Sequence, residues 1–314
     1  MKQFFKHPTV ITVAKVIISA ALLSGLIYYI DVEAVLVSLS NANIIYLSAG
    51  LALAIIQVII HLYRWRYLLH LISKDITHRE AYTSFFVGFM AGFFTPAQLG
   101  EFAGRIASHP TVNKSHIVGI TLIDKIYWAA LTFVIGGTGL VVFIADYYPE
   151  YWNPLYRYAV TFVLGIIIVI FLYPEKIKEL LQLLPEKVRR HRFYEIIQVI
   201  ENEFHNRNAW MFFSITGLLY GVILLEYYFL VNAFGTVAFG DAMMCAASVF
   251  FVKAVILPIS FGDLGIRESA AVFFFEGTGT AAAVAFNASI VMSLANVIIP
   301  TAIGALLVTS VKRQ

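Results

Sequence analysis

The chain has one cysteine, Cys245, in 314 residues. An internal disulfide and a cysteine-ligated zinc are therefore excluded. Charge is scarce too: Asp, Glu, Lys and Arg make up 13%, against about 25% in an ordinary soluble domain. The net charge is only +3, too small for a bulk field that would attract nucleic acid. No Walker, G-x-S-x-G or H-E-x-x-H pattern occurs, so nucleotide, acyl-hydrolase and zincin signatures are missing. The glycines at 136–139 do not form G-x-G-x-x-G and lie inside an apolar run. His61, His70, His78, His109, His116, His191 and His205 show no metal-ligating spacing and read as packing or interfacial residues. What the chain has is apolar side chains: 60% of the sequence, with a mean hydropathy of +0.81. That composition excludes a soluble, disordered or collagenous chain and implies membrane-spanning helices.

A spanning helix needs about 20 mostly apolar residues. Segments 9–30, 44–62, 115–145, 155–173 and 209–233 qualify, and 280–311 is long enough to tilt or break. The first is too long for a signal-peptide core and no clean A-x-A site follows, so it reads as a retained span. Basic residues then set the orientation. They populate the N-terminus, 63–79 (Arg64, Arg66, Lys74, Arg79), 174–208 and the C-terminus, whereas 31–43, 146–154 and 234–240 have neither Lys nor Arg. Both termini and the 174–208 connector are expected in the cytoplasm, with the chain in the inner membrane. Tyr147, Tyr148, Tyr151 and Trp152 read as an aromatic belt at the outer interface.

Two apolar regions remain, 80–114 and 241–276, each made of two arms joined at a proline. Orientation requires the first to enter and leave on the cytoplasmic side and the second on the outer side. The expected fold is an all-α polytopic membrane protein with about six full spans and two re-entrant helical hairpins. It forms one membrane domain over 1–314. The first half, 1–173, holds hairpin 80–114; the second, 209–314, holds hairpin 241–276. The connector 174–208 joins them, and Phe193, Ile196, Ile197, Ile200 and Phe204 recur in it at helical spacing behind a basic cluster. It fits either a solvated linker or an interfacial amphipathic helix.

The hairpins share a pattern. Pro96-Ala-Gln-Leu-Gly100-Glu101-Phe-Ala-Gly-Arg105 and Pro258-Ile-Ser-Phe-Gly262-Asp263-Leu-Gly-Ile-Arg267 both fit P-x-x-x-G-[DE]-x-x-x-R, with Pro258 162 residues after Pro96. Opposite entry with a shared motif marks an inverted-topology repeat. Pro96 and Pro258 end the first arms, and Gly100 and Gly262 allow tight reversals. Glu101 and Asp263 are then expected in the first turn of the second arms, favoured by the helix dipole. Arg105 and Arg267 follow four residues later, so Glu101–Arg105 and Asp263–Arg267 can pair. Two such helix starts converging at midplane would form an anion site.

Ionisable residues within spans are costly and functional suspects by default. Here they are Glu101, Arg105, Asp124, Lys125, Glu226, Lys253, Asp263, Arg267 and Glu268. The two motif pairs fit a substrate-facing role or ion pairs that fix the hairpins. Lys125 and Lys253 are candidate phosphate contacts. Glu226 fits packing against a neighbouring helix or a part in transport.

Pro96…Gly100-Glu101…Arg105 and Pro258-x-Ser260-x-Gly262-x-x-Gly265-x-x-Glu268 resemble the transmembrane region of lysylphosphatidylglycerol synthases and related flippase-like membrane proteins. Arg64-Trp65-Arg66-Tyr67-Leu68-Leu69 is similar as well. Two positions depart from that family: Gln98 stands where a basic residue is frequent, and Trp128 stands where an acid often follows the Asp124-Lys125 pair. The resemblance implies a membrane region that holds or moves lipids. No stretch here suits a cytosolic synthase domain, so it implies the lipid-handling half without aminoacyl transfer.

The expected function is therefore binding and transbilayer movement of an anionic lipid, a phospholipid or a polyprenyl-phosphate-linked one, and not an enzymatic reaction. Arg105, Arg267, Lys125 and Lys253 would contact phosphate. Glu101 and Asp263 would orient the arginines or take a proton, and Glu268 belongs to the same site. With no ATP site in the sequence, transport would be passive or ion-coupled. The alternative is a small-solute secondary transporter using the same broken helices. No cofactor or metal is expected. The expected partners are membrane lipids with anionic headgroups, a second copy of the chain and a separate lipid-modifying enzyme, with no nucleic acid among them.

Overall fold

A computed structural model describes residues 8–95, 98–153, 204–256 and 263–311, with scattered positions between 155 and 173. Every described element is helical, with no strand among the described residues. Among the described residues four helices are long and apolar enough to cross a membrane: Ile44–Ile72, Lys114–Tyr147, Asn206–Phe234 and Ala282–Val308. A fifth span follows if the bent pair before them counts as one. The protein is thus an all-α integral membrane protein. The expected span 155–173 is described only at scattered positions, and Pro96, Pro258, Gly262 and most of the 174–208 connector lie outside the described residues.

Helix α1 (Pro8–Ile30) meets α2 (Val32–Ser40) at 83°. The bend sits at Asp31, whose φ of 78° breaks the helix while its carboxylate accepts from the Glu33 amide at 3.2 Å. Asn43 caps α3 (Ile44–Ile72) by accepting from the amides of Ile45 and Tyr46. This helix runs well past the expected end at 62, and its continuation corrects the reading of 63–79 as a basic loop. Arg64 is only 2% exposed, because partners inside the protein satisfy its guanidinium.

A Thr77–Glu80 capping box starts α4 (His78–Phe94), which folds back on α5 (Gly100–Ala107). Glycines permit that close approach. A Cβ on Gly104 would lie 2.8 Å from the Val87 carbonyl oxygen and from the Gly88 Cα. A Cβ on Gly88 would lie 2.7 Å from the Arg105 side chain. The long helix that follows comprises α6 (Lys114–Leu131), a π-turn over Thr132–Gly136 and α7 (Gly137–Tyr147).

After the connector come α8 (Asn206–Phe234), α9 (Phe239–Val255) and α10 (Ile266–Gly277). A second interrupted helix closes the chain: α11 (Ala282–Ser293), a π-turn over Leu294–Ile298 and α12 (Ile299–Val311). The element bounds repeat at the spacing of the motifs. Moving α3 on by 162 residues gives the bounds of α8, and the same shift carries one π-turn onto the other. The described elements therefore run twice through one order: a long helix, a hairpin and an interrupted helix.

The hairpin arms differ in length. First arms α4 and α9 have 17 residues each, whereas second arms α5 and α10 have 8 and 12. At 1.5 Å per residue, α5 rises about 12 Å. Pro110 accounts for its early stop, since it lacks an amide donor and disfavours helix at His109.

The long helices α3 and α8 pack antiparallel, with Gly50 against Leu230 and Arg64 against Thr216. One apolar cluster gathers Phe143, Tyr220, Tyr227, Phe250 and Phe275. A second gathers Trp65, Phe85, Ile117, Tyr127 and Phe212. Phe204, the described end of the connector's apolar series, is buried in the second cluster against the rings of Tyr127 and Phe212. Phe193, Ile196, Ile197 and Ile200 lie outside the described residues.

Candidate functional site

Both hairpins and both long helices contribute to one cavity of about 320 Å³. Glu101, Arg105, Lys125, Lys253, Asp263 and Arg267 all line it. Each half thus delivers its motif to the same space.

On the α5 side, the turn is held by the Gly100 amide, which donates to the Thr95 hydroxyl at 2.6 Å. Glu101 falls in the first turn of α5 and pairs with Arg105 one turn later, as the spacing predicts. Its other oxygen takes Lys125 at 2.5 Å, and Lys125 also donates to Gln98 at 3.0 Å. Arg105 reaches Asp124 at 3.0 Å, and the second oxygen of Asp124 takes Arg64 at 3.1 Å. Arg64 further donates to the Thr216 hydroxyl and the Asp124 carbonyl.

The result is an alternating chain, Lys125–Glu101–Arg105–Asp124–Arg64, in which three cations share two carboxylates. Arg105 lies over the Trp65 ring at 3.7 Å, a favourable cation–π position. The Trp65 indole is fixed in turn by donating to Ser84 at 2.7 Å. Nε and Nη1 of Arg105 are buried without a hydrogen-bond partner. Buried donors of that kind are rare and call for an explanation.

The second motif is built differently, and the expected Asp263–Arg267 pair does not form. Asp263 has a φ of 62° and precedes α10, so the helical i,i+4 relation does not apply to it. It pairs instead with Lys253 of α9 at 3.2 Å. Gly265, at a φ of 91°, supplies the left-handed residue that starts α10. Glu268 then folds back to accept from the Gly265 amide at 2.6 Å. Glu268 also accepts from the hydroxyls of Ser289 and Ser293. Arg267 donates to Ser293 and lies 3.6 Å from Glu268. Glu268, completely buried, does not line the cavity; it holds Arg267 from behind.

Five cationic side chains thus meet four carboxylates: Arg64, Arg105, Lys125, Lys253 and Arg267 against Glu101, Asp124, Asp263 and Glu268. Glu268 and Glu226 are buried behind the wall, so the cavity lining itself carries these five cations and only three carboxylates. Among the described residues no three His, Cys, Asp or Glu side chains form a metal-ligating group.

Four polar wall residues were not among those expected at the site: Gln57, His61, Arg64 and Asn296. His61 stands between the rings of Phe85 and Trp128, at 5.8 and 6.1 Å. A signal for Arg64 was present. The helical spacing of Trp65, Leu68 and Leu69, all buried, runs through it, and the 162-residue shift places it opposite Glu226 in α8.

A family model described as the lysylphosphatidylglycerol synthase TM region matches residues 12–304 of the chain. No curated protein and no solved structure matches.

Proposed function

The chain belongs to the family of the lysylphosphatidylglycerol synthase transmembrane region, and from that premise we propose that it binds the anionic headgroup of a membrane lipid and carries it across the bilayer. The observation that supports this reading most is the convergence of two motifs, distant in sequence, on one cavity with surplus positive charge.

Ion pairs buried this deeply add little stability by themselves, because desolvation offsets most of their attraction. Their retention fits a cavity that exchanges internal carboxylates for a ligand phosphate. Arg105 is suited to that exchange. Two of its donors have no partner, and a guanidinium fork matches a phosphate bidentately. Arg267, Lys125 and Lys253 would complete the phosphate shell. Glu101 would hold Arg105 and Lys125 between visits of the ligand, and Asp263 would hold Lys253. The cavity volume lies at the lower end of the range for small-molecule sites, which suits a headgroup whose acyl chains remain in the bilayer.

The cycle would be an exchange between two faces. The two units, related by a 162-residue shift and packed antiparallel through α3 and α8, suit an inverted repeat that opens the cavity to either side in turn. In that arrangement the basic segments face the cytoplasm, the protein sits in the inner membrane, and both termini are cytoplasmic.

The test is lipid movement in proteoliposomes. Fluorescent phosphatidylglycerol placed in one leaflet should exchange between leaflets with the wild-type protein and slow about tenfold or more with Arg105→Ala. That factor corresponds to losing one charged hydrogen bond worth about 1.5–3 kcal/mol. Equal rates for wild type, Arg105→Ala and empty vesicles would refute the proposal. Movement of a soluble phosphate ester without lipid movement would assign the cavity to a small solute.

A further inference from the structure

We propose that Glu226 and Asn296 form a proton-binding site linked to the headgroup cavity, so that lipid entry is accompanied by proton uptake. The inference rests on the lipid-translocation reading above.

Glu226 is completely buried in α8. Its two carboxylate oxygens share one donor group, the Asn296 side-chain amide, at 2.8 and 3.0 Å. Among the described residues it forms no ion pair. Asn296 lines the cavity, and its own oxygen Oδ1 is buried without a hydrogen-bond partner. As an ionised pair this arrangement is poorly satisfied. A carboxylate offers about four acceptor sites, yet here one amide serves both oxygens while the amide oxygen points to no donor.

A proton on Glu226 resolves both deficits. The neutral carboxyl can donate its O–H to Oδ1 of Asn296 while accepting from the Asn296 amide, giving a cyclic acid–amide pair. The step is a transfer from cavity water: hydronium gives a proton to a Glu226 oxygen, an O–H bond forms, and water is left. Asn296 lies on the π-turn Leu294–Ile298, a break at which side-chain rearrangement meets less helical constraint.

The charges around Glu226 give the linkage its sign. Helix α8 packs against α3, α6, α9 and α11. From α3, the facing stretch 50–57 presents no ionisable residue. From α9 comes Lys253, held by Asp263. From α6 come Asp124 and Lys125, held by Arg64, Arg105 and Glu101. From α11 come the hydroxyls of Ser289 and Ser293. On α8 itself Tyr227 stacks on Phe275 at 5.7 Å. Arg267 of α10 lines the cavity together with Asn296, and its positive charge attracts a carboxylate on Glu226. An anionic headgroup that engages Arg267 neutralises that influence and favours the proton. Phosphate and proton therefore bind with positive, reciprocal linkage.

The experiment uses the full chain in micelles and phosphatidylglycerol as the probe. Lipid binding is followed by native mass spectrometry, proton uptake by an indicator dye in weak buffer, and Glu226 by its carboxylic C=O infrared band. Wild type should take up about one proton per lipid bound. Glu226→Gln, which mimics the protonated side chain and can still bond Asn296, should take up no proton and bind lipid about tenfold more tightly than wild type at a pH where wild type takes up about one. Asn296→Ala should shift the midpoint of the infrared titration by about one pH unit. Proton uptake by Glu226→Gln equal to wild type, or lipid binding by wild type without uptake from about pH 5 to about pH 9, would overturn the site. If wild type binds no lipid, the translocation reading fails. The infrared band then decides the proton site alone: a band that titrates in wild type and vanishes in Glu226→Gln supports it, and no such band at any pH refutes it.

Discussion

Asp124 joins the two arginines most deeply set in the charged chain, so its removal should be among the costliest single changes in the protein. Its two oxygens face Arg64 at 3.1 Å and Arg105 at 3.0 Å, and the arginine side chains are only 3% and 2% exposed. At an effective dielectric of about 20, each contact amounts to about 5 kcal/mol of Coulombic attraction. Desolvation of the three ions offsets most of that sum. The offset is lost when only one ion is removed. Asp124→Asn keeps the shape but leaves Arg64 without a counter-charge, with neutral acceptors such as the Thr216 hydroxyl and a backbone carbonyl and the face of the Phe212 ring. Arg105 keeps Glu101. The expected cost is about 3–5 kcal/mol, the usual penalty for stranding a buried charge. Arg64→Met alone should cost less, since Asp124 retains Arg105. Combining the two should recover about 2 kcal/mol relative to the sum of the single changes, because the stranded guanidinium is gone. Unfolding in mixed micelles by denaturing detergent provides all four corners of the cycle. A near-neutral Asp124→Asn, or a double variant equal to the sum of its parts, would refute the picture of a coupled buried network.

Three further outcomes follow from the same geometry. Arg105→Ala and Arg267→Ala should each weaken phosphatidylglycerol binding about tenfold, and the double variant should lose less than the product because both act on one ligand; strictly multiplicative losses in a binding titration would mean two independent sites. Gly104→Ala should destabilise by about 1–3 kcal/mol through overpacking, since the new methyl would sit 2.8 Å from backbone on α4. Gly217→Ala has open space around its Cβ and should stay within about 0.5 kcal/mol of wild type; equal effects of the two in a denaturation assay would contradict the close α4–α5 approach. In a Cys245→Ala background, Tyr148→Cys and Val237→Cys should react with an impermeant maleimide on intact cells, and Lys74→Cys only after permeabilisation. Labelling of Lys74→Cys on intact cells would reverse the orientation.

Much of this protein is decided by local composition. Long apolar runs specify helices of spanning length, because buried backbone in lipid has few other ways to satisfy its hydrogen bonds. The two P-x-x-x-G-[DE]-x-x-x-R motifs, 162 residues apart, mark the two hairpins, and the α3 and α8 bounds obey the same shift. Glu101–Arg105 was legible because both residues lie on one helix at i,i+4. Asp263–Arg267 has the same spacing and fails because that relation holds only inside a helix, and α10 begins after Asp263. The choice of Lys253 for Asp263, of Asp124 as the bridge between Arg64 and Arg105, and of Asn296 for Glu226 came from the tertiary structure alone. Those partners lie on different elements, and their distances depend on how the helices pack. Arg64 makes the point most sharply. Charge counting assigns it to a cytoplasmic loop, but α3 continues past it and carries its guanidinium inward, where a carboxylate on α6 and a hydroxyl on α8 make burial tolerable.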